Sequence, residues 1–369
     1  MRILIAPDSF KESMTAAEAA AAMARGVARA LPDAEVVLRP LADGGEGTLA
    51  VLAGPLGAEL RTVGTVDALG RPVTARYGLA GRTAIIEVAE VIGLGLISPA
   101  ERDIERASTS GLATVVTAAL DAGADHLIIG IGGTATCEGG AGLLAGLGVR
   151  LVDERRRALP PDPGGLRRLA AVDLAGLDPR LARARIEVAT DVTNPLLGPD
   201  GAAAVFAPQK GARPDQLPGL EDGLTRWAAA LHAAGAPDVA HRPGAGAAGG
   251  LGAGLLALGA VIRSGAELVA AAVGLDEQLA QADLVLTGEG SLDAQTASGK
   301  TISMVVAAAA RAHVPVLAFA GRVAPGDWPA FGVAAAVPIT PSGLPLAQAL
   351  ALGPQLLEQA VAAELSARQ

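Results

Sequence analysis

The chain has 369 residues, 51% apolar and only 2% aromatic, with 29 basic against 38 acidic side chains for a net charge of −9. That balance, with no basic run beyond Glu154-Arg155-Arg156-Arg157, excludes a nucleic-acid or anionic-membrane surface. The single cysteine, Cys137, excludes an intrachain disulfide and points to a reducing, cytoplasmic setting.

The first element in chain order is a short buried strand over residues 2–6, which meets Pro7-Asp8 too soon to read as a signal peptide. Thr15-Ala16-Ala17-Glu18 is a capping box, and it predicts an Ala-rich helix to about residue 30. After the Pro32-Asp33 turn, residues 35–39 read as the next strand, completing a β-α-β unit. Residues 61–66, 71–78 and 82–88 read as short strands with turns. A helix over 110–122 then leads to a strand at 126–131.

Residues 149–152 and 185–189 are further strand-like runs, separated by the Pro-rich loop 160–165. Residues 243–262 carry no charge, but seven of the twenty are glycine, so a glycine-rich loop leading into a buried helix over 255–262 is expected rather than a membrane span. The remaining pattern is helix 267–282, strand 283–287, helix 300–312, strand 314–320, strand 333–337 and helix 346–367. Strands alternating with helices predict an α/β fold, a Rossmann-like parallel sheet with helices on both faces. The interruptions predict a second, inserted α/β domain. The expected division puts residues 1–60, 100–148 and 276–369 in the Rossmann-like domain and residues 61–99 and 149–275 in the insert.

Chemistry-bearing residues gather in loops that follow predicted strands, where open parallel sheets bind ligands. The loops carry Asp8 and Lys11; Asp43-Gly44-Gly45-Glu46; Gly132-Gly133-Thr134; Asp191; and Gly288-Glu289-Gly290-Ser291-Leu292-Asp293. The last runs on to Ser298-Gly299-Lys300-Thr301. Glycines let backbone N–H groups approach an anion, and a helix N-terminus with a lysine adds positive charge, so phosphate handling is the expected chemistry. The segment misses the P-loop pattern because Ala294 stands where the first glycine is required. Gly130-x-Gly132-x-x-Ala135, with Asp153 and Glu154 about twenty residues on, also satisfies a dinucleotide fingerprint, which leaves a dinucleotide-binding oxidoreductase as the alternative from a different class. Lys210 reads as a surface lysine or a phosphate contact, and Cys137 as a buried small side chain rather than a nucleophile.

Taken together, Ala6-Pro7-Asp8-Ser9-Phe10-Lys11, Ala42-Asp43-Gly44-Gly45-Glu46-Gly47-Thr48, Gly130-Ile131-Gly132-Gly133-Thr134-Ala135-Thr136, Asp191-Val192-Thr193-Asn194-Pro195-Leu196, Phe206-Ala207-Pro208-Gln209-Lys210-Gly211 and Gly288-Glu289-Gly290-Ser291-Leu292-Asp293 resemble the bacterial glycerate kinase family, in the family's order and over nearly the whole chain. The resemblance implies transfer of the γ-phosphate of ATP to D-glycerate, in a branch associated with 2-phosphoglycerate, on two α/β domains with a cleft between them. A kinase for another small hydroxy acid is the near alternative. Two places depart from the family's usual pattern: Thr109-Ser110-Gly111, where Ser-Tyr-Gly is common, and Cys137-Glu138, where an aspartate is common.

Phosphoryl transfer asks for alignment and charge neutralisation. On the implied chemistry, Lys11 and Lys300 contact phosphate or the substrate carboxylate. Gly132, Gly133, Thr134, Gly288, Gly290 and Ser291 line the nucleotide phosphates. Asp43, Glu289 and Asp293 serve Mg²⁺ or its water shell, and Asp8 and Asp191 are the candidates for accepting the glycerate hydroxyl proton.

Overall fold

The computed structural model describes residues 1–293 and 301–368. Its thirteen strands among the described residues are β1 (Arg2–Ile5), β2 (Glu35–Leu38), β3 (Glu59–Val66), β4 (Pro72–Ala80), β5 (Thr83–Glu87), β6 (His126–Gly130), β7 (Arg150–Val152), β8 (Ala171–Asp173), β9 (Arg185–Ala189), β10 (Val261–Arg263), β11 (Leu284–Leu292), β12 (Val316–Val323) and β13 (Ala335–Pro338). The chain divides into two compact units, Met1–Asp43 with Ala50–Pro55 and Ala266–Gln369, and Gly44–Leu49 with Leu56–Gly265.

The first unit holds a five-stranded sheet of order β13-β12-β11-β1-β2, parallel throughout. Counted within the unit this is 2-1-3-4-5, a doubly wound order whose direction reverses between β1 and β11. Both central strands are apolar runs, Ile3-Leu4-Ile5 and Leu284-Val285-Leu286, as a sheet covered on both faces requires. Thr15 and Glu18 close the expected capping box on the helix Ala16–Ala30. That helix packs on the C-terminal helix Gly353–Ser366 through Gly26, where a Cβ would lie 2.6 Å from the Glu358 carbonyl oxygen. Arg25 and Arg29 both pair with Glu358 across the same contact.

The second unit holds a six-stranded mixed sheet of order β10-β9-β6-β5-β4-β3, with β5, β6, β9 and β10 parallel and β3–β4–β5 antiparallel. The core on its faces is aliphatic, with Trp227 the largest side chain in it, fully buried and donating Nε1–H to the Gly139 carbonyl at 2.9 Å. β7 and β8 form a separate two-stranded antiparallel ribbon.

The expected domain division is corrected: residues 44–49 and 56–60 fall in the second unit and 266–275 in the first, and the largest change is the middle of the chain. Residues 100–148 belong with the second unit, because β6 is hydrogen-bonded between β5 and β9 rather than beside β1. The run Leu127-Ile128-Ile129 would suit either sheet, and apolar periodicity does not specify which neighbour a buried strand takes. The helix expected over 255–262 is also corrected: a helix at Leu251–Ala257 is followed by the strand β10. Among the described residues, no helix is long and apolar enough to cross a membrane.

Candidate active site

In the first unit the carboxyl ends of β1 and β11 lie side by side at the reversal point, the place where sheets of this order bind ligands. Asp8 follows β1, and its backbone N–H donates to the Gly288 carbonyl at 2.9 Å. One carboxylate oxygen of Asp8 accepts from the Ser9 N–H at 2.6 Å and the other from the Thr301 hydroxyl at 2.6 Å. Burial, and then repulsion from the Asp43 carboxylate, pushes the Asp8 carboxyl up from its ordinary 3.8 to about 6, against the Thr301 and Ser9 hydrogen bonds and the Lys11 charge. Lys11 itself is exposed.

The glycines of the last predicted loop are a finding of a different kind. Residues 288–292 lie within β11, which continues alongside β12 through Leu292↔Val323. A Cβ on Gly288 would stand 2.3 Å from the Phe319 carbonyl oxygen, so the ladder closes there only over glycine. Glu289 and Ser291 fall on one face of the strand by alternation, and Asp293 sits in the bend that follows. Lys300 lies outside the described residues. Among the described residues no three His, Cys, Asp or Glu side chains form a cluster that could hold a metal. Asp43, Glu289 and Asp293 are therefore not a preformed all-protein cage. Mg²⁺ usually takes only one or two carboxylates and keeps waters and substrate phosphates for its other positions, and Asp8 beside Asp43 is a pair whose repulsion a divalent cation relieves.

In the second unit, loop 44–49 lies across the carboxyl ends of β6 and β9. A Cβ on Gly44 would come 2.3 Å from the Ala189 carbonyl oxygen, and Gly44 has φ +91°. Gly132 donates its N–H to the Gly44 carbonyl at 3.1 Å, and the Gly133 carbonyl accepts from Leu94. The Gly132 N–H, expected to line the nucleotide phosphates, is engaged here in a loop-to-loop contact. The buried Glu87 carboxylate, pushed up by its burial, accepts from the N–H groups of Gly47 and Leu49 and holds loop 44–49 to the end of β5. Gly132→Ala would bring its Cβ within 2.5 Å of the Gly45 Cα. It is expected to cost about 1–3 kcal/mol, read as a lower melting temperature; a wild-type melting curve would mean the two loops are not tightly packed.

Thr134 is buried and its hydroxyl accepts from Lys210 Nζ at 2.9 Å; the same ammonium donates to the Thr136 carbonyl at 2.7 Å. Lys210 is buried rather than a surface lysine, and burial lowers it to about 8. It ties the loop after β6 and reaches no exposed surface. Cys137 is buried and its thiol is pushed up to about 12, so it is not a thiolate at neutral pH. Asp191, after β9, accepts from the Ser264 hydroxyl at 2.7 Å and from the Gly265 N–H at 2.9 Å, which joins the loops after β9 and β10.

The dinucleotide reading fails on this geometry. Residues 131–140 separate β6 from the six-residue helix Ala141–Gly146, whereas the fingerprint needs the helix to open within its glycine turn. Asp153 and Glu154 follow β7, which lies in the β7-β8 ribbon and is no neighbour of β6. The sequence does not reveal Thr301 as a partner of Asp8, or Glu87 as a buried loop anchor, because those partners are far apart in the chain; for Glu138 the Ala141 and Gly142 N–H groups are local, but the Thr109 contact is 29 residues away.

Comparison with known proteins bears on the whole chain. The sequence signature described as the glycerate kinase family matches residues 3–367. A glycerate kinase of Halalkalibacterium halodurans is 44% identical over 97% of this chain and 96% of its own length. A glycerate 2-kinase of Escherichia coli is 44% identical over 88% of this chain and 86% of its own. A crystal structure from Salmonella typhimurium, provisionally assigned as glycerate kinase 2, superposes with a TM-score of 0.85 at 42% identity, over 100% of this chain and 98% of that one.

Proposed function

Because the chain belongs to the glycerate kinase family, we propose that it transfers the γ-phosphate of ATP, with Mg²⁺, to the 2-hydroxyl of D-glycerate, giving 2-phosphoglycerate. The observation that carries the chemistry is the raised Asp8 carboxyl beside Asp43 at the reversal point of a doubly wound sheet. A base with its pKa near 6 is ionised at neutral pH yet basic enough to hold a proton as the hydroxyl oxygen attacks. Asp8 is the proton acceptor in this reading. Hydrogen bonds from the Ser9 N–H and the Thr301 hydroxyl fix its orientation.

Asp43 would hold the Mg²⁺, with Glu289 and Asp293 available to its water shell. When bound, Mg²⁺ neutralises charge on the β- and γ-phosphate oxygens. Lys11 is placed in the same role from the protein side. Gly290, Ser291 and Lys300 are assigned to the phosphates, and Gly133 and Thr134 shape the loop after β6. Asp191 is the second candidate for the base; its ties to Ser264 and Gly265 favour a part in holding that loop. The name of the Escherichia coli relative supports the 2-hydroxyl.

The test is ADP release on mixing the protein with D-glycerate and Mg·ATP, followed by phosphorus NMR of the product. A single resonance for the 2-phosphate is expected. A 3-phosphate would overturn the regiochemistry, and no ADP release with glycerate would overturn the substrate.

A further inference from the structure

The first unit contains a cavity of about 410 Å³ at the carboxyl ends of β11, β12 and β13. Its walls are apolar, formed by Phe10, Ile339, Leu344 and Leu350 among others, and its size falls in the range of small-molecule sites. The floor is bare backbone. Gly290 and Gly321 face each other there, and a Cβ on Gly321 would come 2.7 Å from the Gly290 carbonyl oxygen, so no side chain fills the space from below. Two cations, Lys11 and Arg322, stand in the lining, and no acidic residue does. Among the described residues neither cation enters an ion pair. Lys11, on the cavity side, follows Asp8 by three residues in the loop after β1.

A large apolar wall with positive charge toward one side fits a ligand that is flat and weakly polar over most of its surface and anionic at one end. Glycerate is small and polar throughout, and burying it against Phe10 and three aliphatic side chains would leave its hydroxyls unpartnered. We propose that this cavity receives the purine base and ribose of the nucleotide, with Lys11 and Arg322 on the phosphates that lead from it toward Asp8. This rests on the kinase reading above for the identity of the ligand, while the cavity's own preference for a base with an anionic tail stands on its lining.

Photolabelling of the intact protein with 8-azido-ATP, followed by peptide mass mapping, tests it without any substitution. Label is expected on peptides containing residues 10–13 or 339–350, and unlabelled ATP should suppress it. Label confined to residues 56–265, or insensitive to ATP, overturns the proposal. As a second measurement, Leu350→Trp, which fills the cavity from a half-buried position, should raise KM for ATP by about tenfold or more with KM for D-glycerate changed less than about twofold. Unchanged KM for ATP in a variant with a native melting curve overturns it as well. The two readings fail separately: protein labelled in the cavity that releases no ADP with glycerate leaves the cavity standing and removes the substrate, and glycerate phosphorylation with the label elsewhere does the reverse.

Discussion

Asp8→Asn is expected to lower kcat by more than about 10²-fold, the lower range for loss of a general base, and at the same time to raise the melting temperature at neutral pH. The two effects have one origin. The carboxyl of Asp8 is held near 6, first by burial and then by Asp43. A folded-state pKa above the ordinary 3.8 means that the folded chain binds the proton more tightly than the unfolded chain does. Stability is therefore unaffected by this group below about pH 4. It falls as pH rises from about 4 to about 6 and stays lowered above that, since both states are then ionised. Two pKa units at 1.36 kcal/mol each put the cost of the ionised group at up to about 3 kcal/mol at neutral pH.

Asparagine removes that charge and keeps the shape. Its Oδ1 can accept from the Ser9 N–H, and its Nδ2 can donate to the Thr301 hydroxyl, which rotates to accept. Much of the cost is recovered, as an upward shift of a few degrees in a thermal melt. The kinetic counterpart is an acid limb near pH 6 in the wild-type profile of kcat/KM, and Asp43→Asn should move that limb toward lower pH by removing the repulsion that raises Asp8. Undiminished kcat in Asp8→Asn would remove this residue from the mechanism. A variant that loses activity and stability together would make it a structural residue.

Local signals carried the elements that the sequence makes readable. Thr15 and Glu18 are three residues apart, and a bond within one helical turn is visible as a spacing. The runs at β1, β9 and β12 are short apolar stretches bounded by turn residues, and Asp8 and Asp191 lie in the loops after β1 and β9. What the residues do not announce is pairing. β6 could have joined either sheet, because an apolar strand carries no label for its neighbour. Gly288 and Gly290 read as a phosphate loop but belong to a strand, because the whole length of β12 beside them supplies a ladder that local propensity does not record. Lys210 reads as exposed because it lies in a Pro-Gln-Lys-Gly turn; its two partners are 76 and 74 residues away, and together with burial they place its ammonium inside. The candidate site is legible only as residue types in and after predicted strands, whereas contacts such as Asp8 with Thr301, 293 residues apart, are not.

The same kind of long-range contact gives Glu138→Ala the largest expected loss of stability, about 4 kcal/mol in chemical denaturation. Glu138 is completely buried, and burial raises its carboxyl pKa. Among the described residues its hydrogen-bond partners are all donors: the Thr109 N–H and hydroxyl, each at 2.6 Å, the Ala141 N–H at 2.8 Å and the Gly142 N–H at 3.3 Å. It thus binds the start of the helix Ser110–Asp121 to the start of Ala141–Gly146, at the N-termini where a negative charge is favoured. Truncation leaves four donors facing an empty space, each costing about 1 kcal/mol or more when unmet and buried. Glutamine is a sharper probe, because it fills the same volume. Its one oxygen can accept from two of the donors, but its amide then points N–H at the remaining N–H groups, and about 1–3 kcal/mol should still be lost. Loss of less than about 1 kcal/mol in Glu138→Ala would mean that water replaces the carboxylate without strain. Thr109 and Glu138 share two of these hydrogen bonds, so Thr109→Ser combined with Glu138→Asp should cost less than the sum of the two single substitutions.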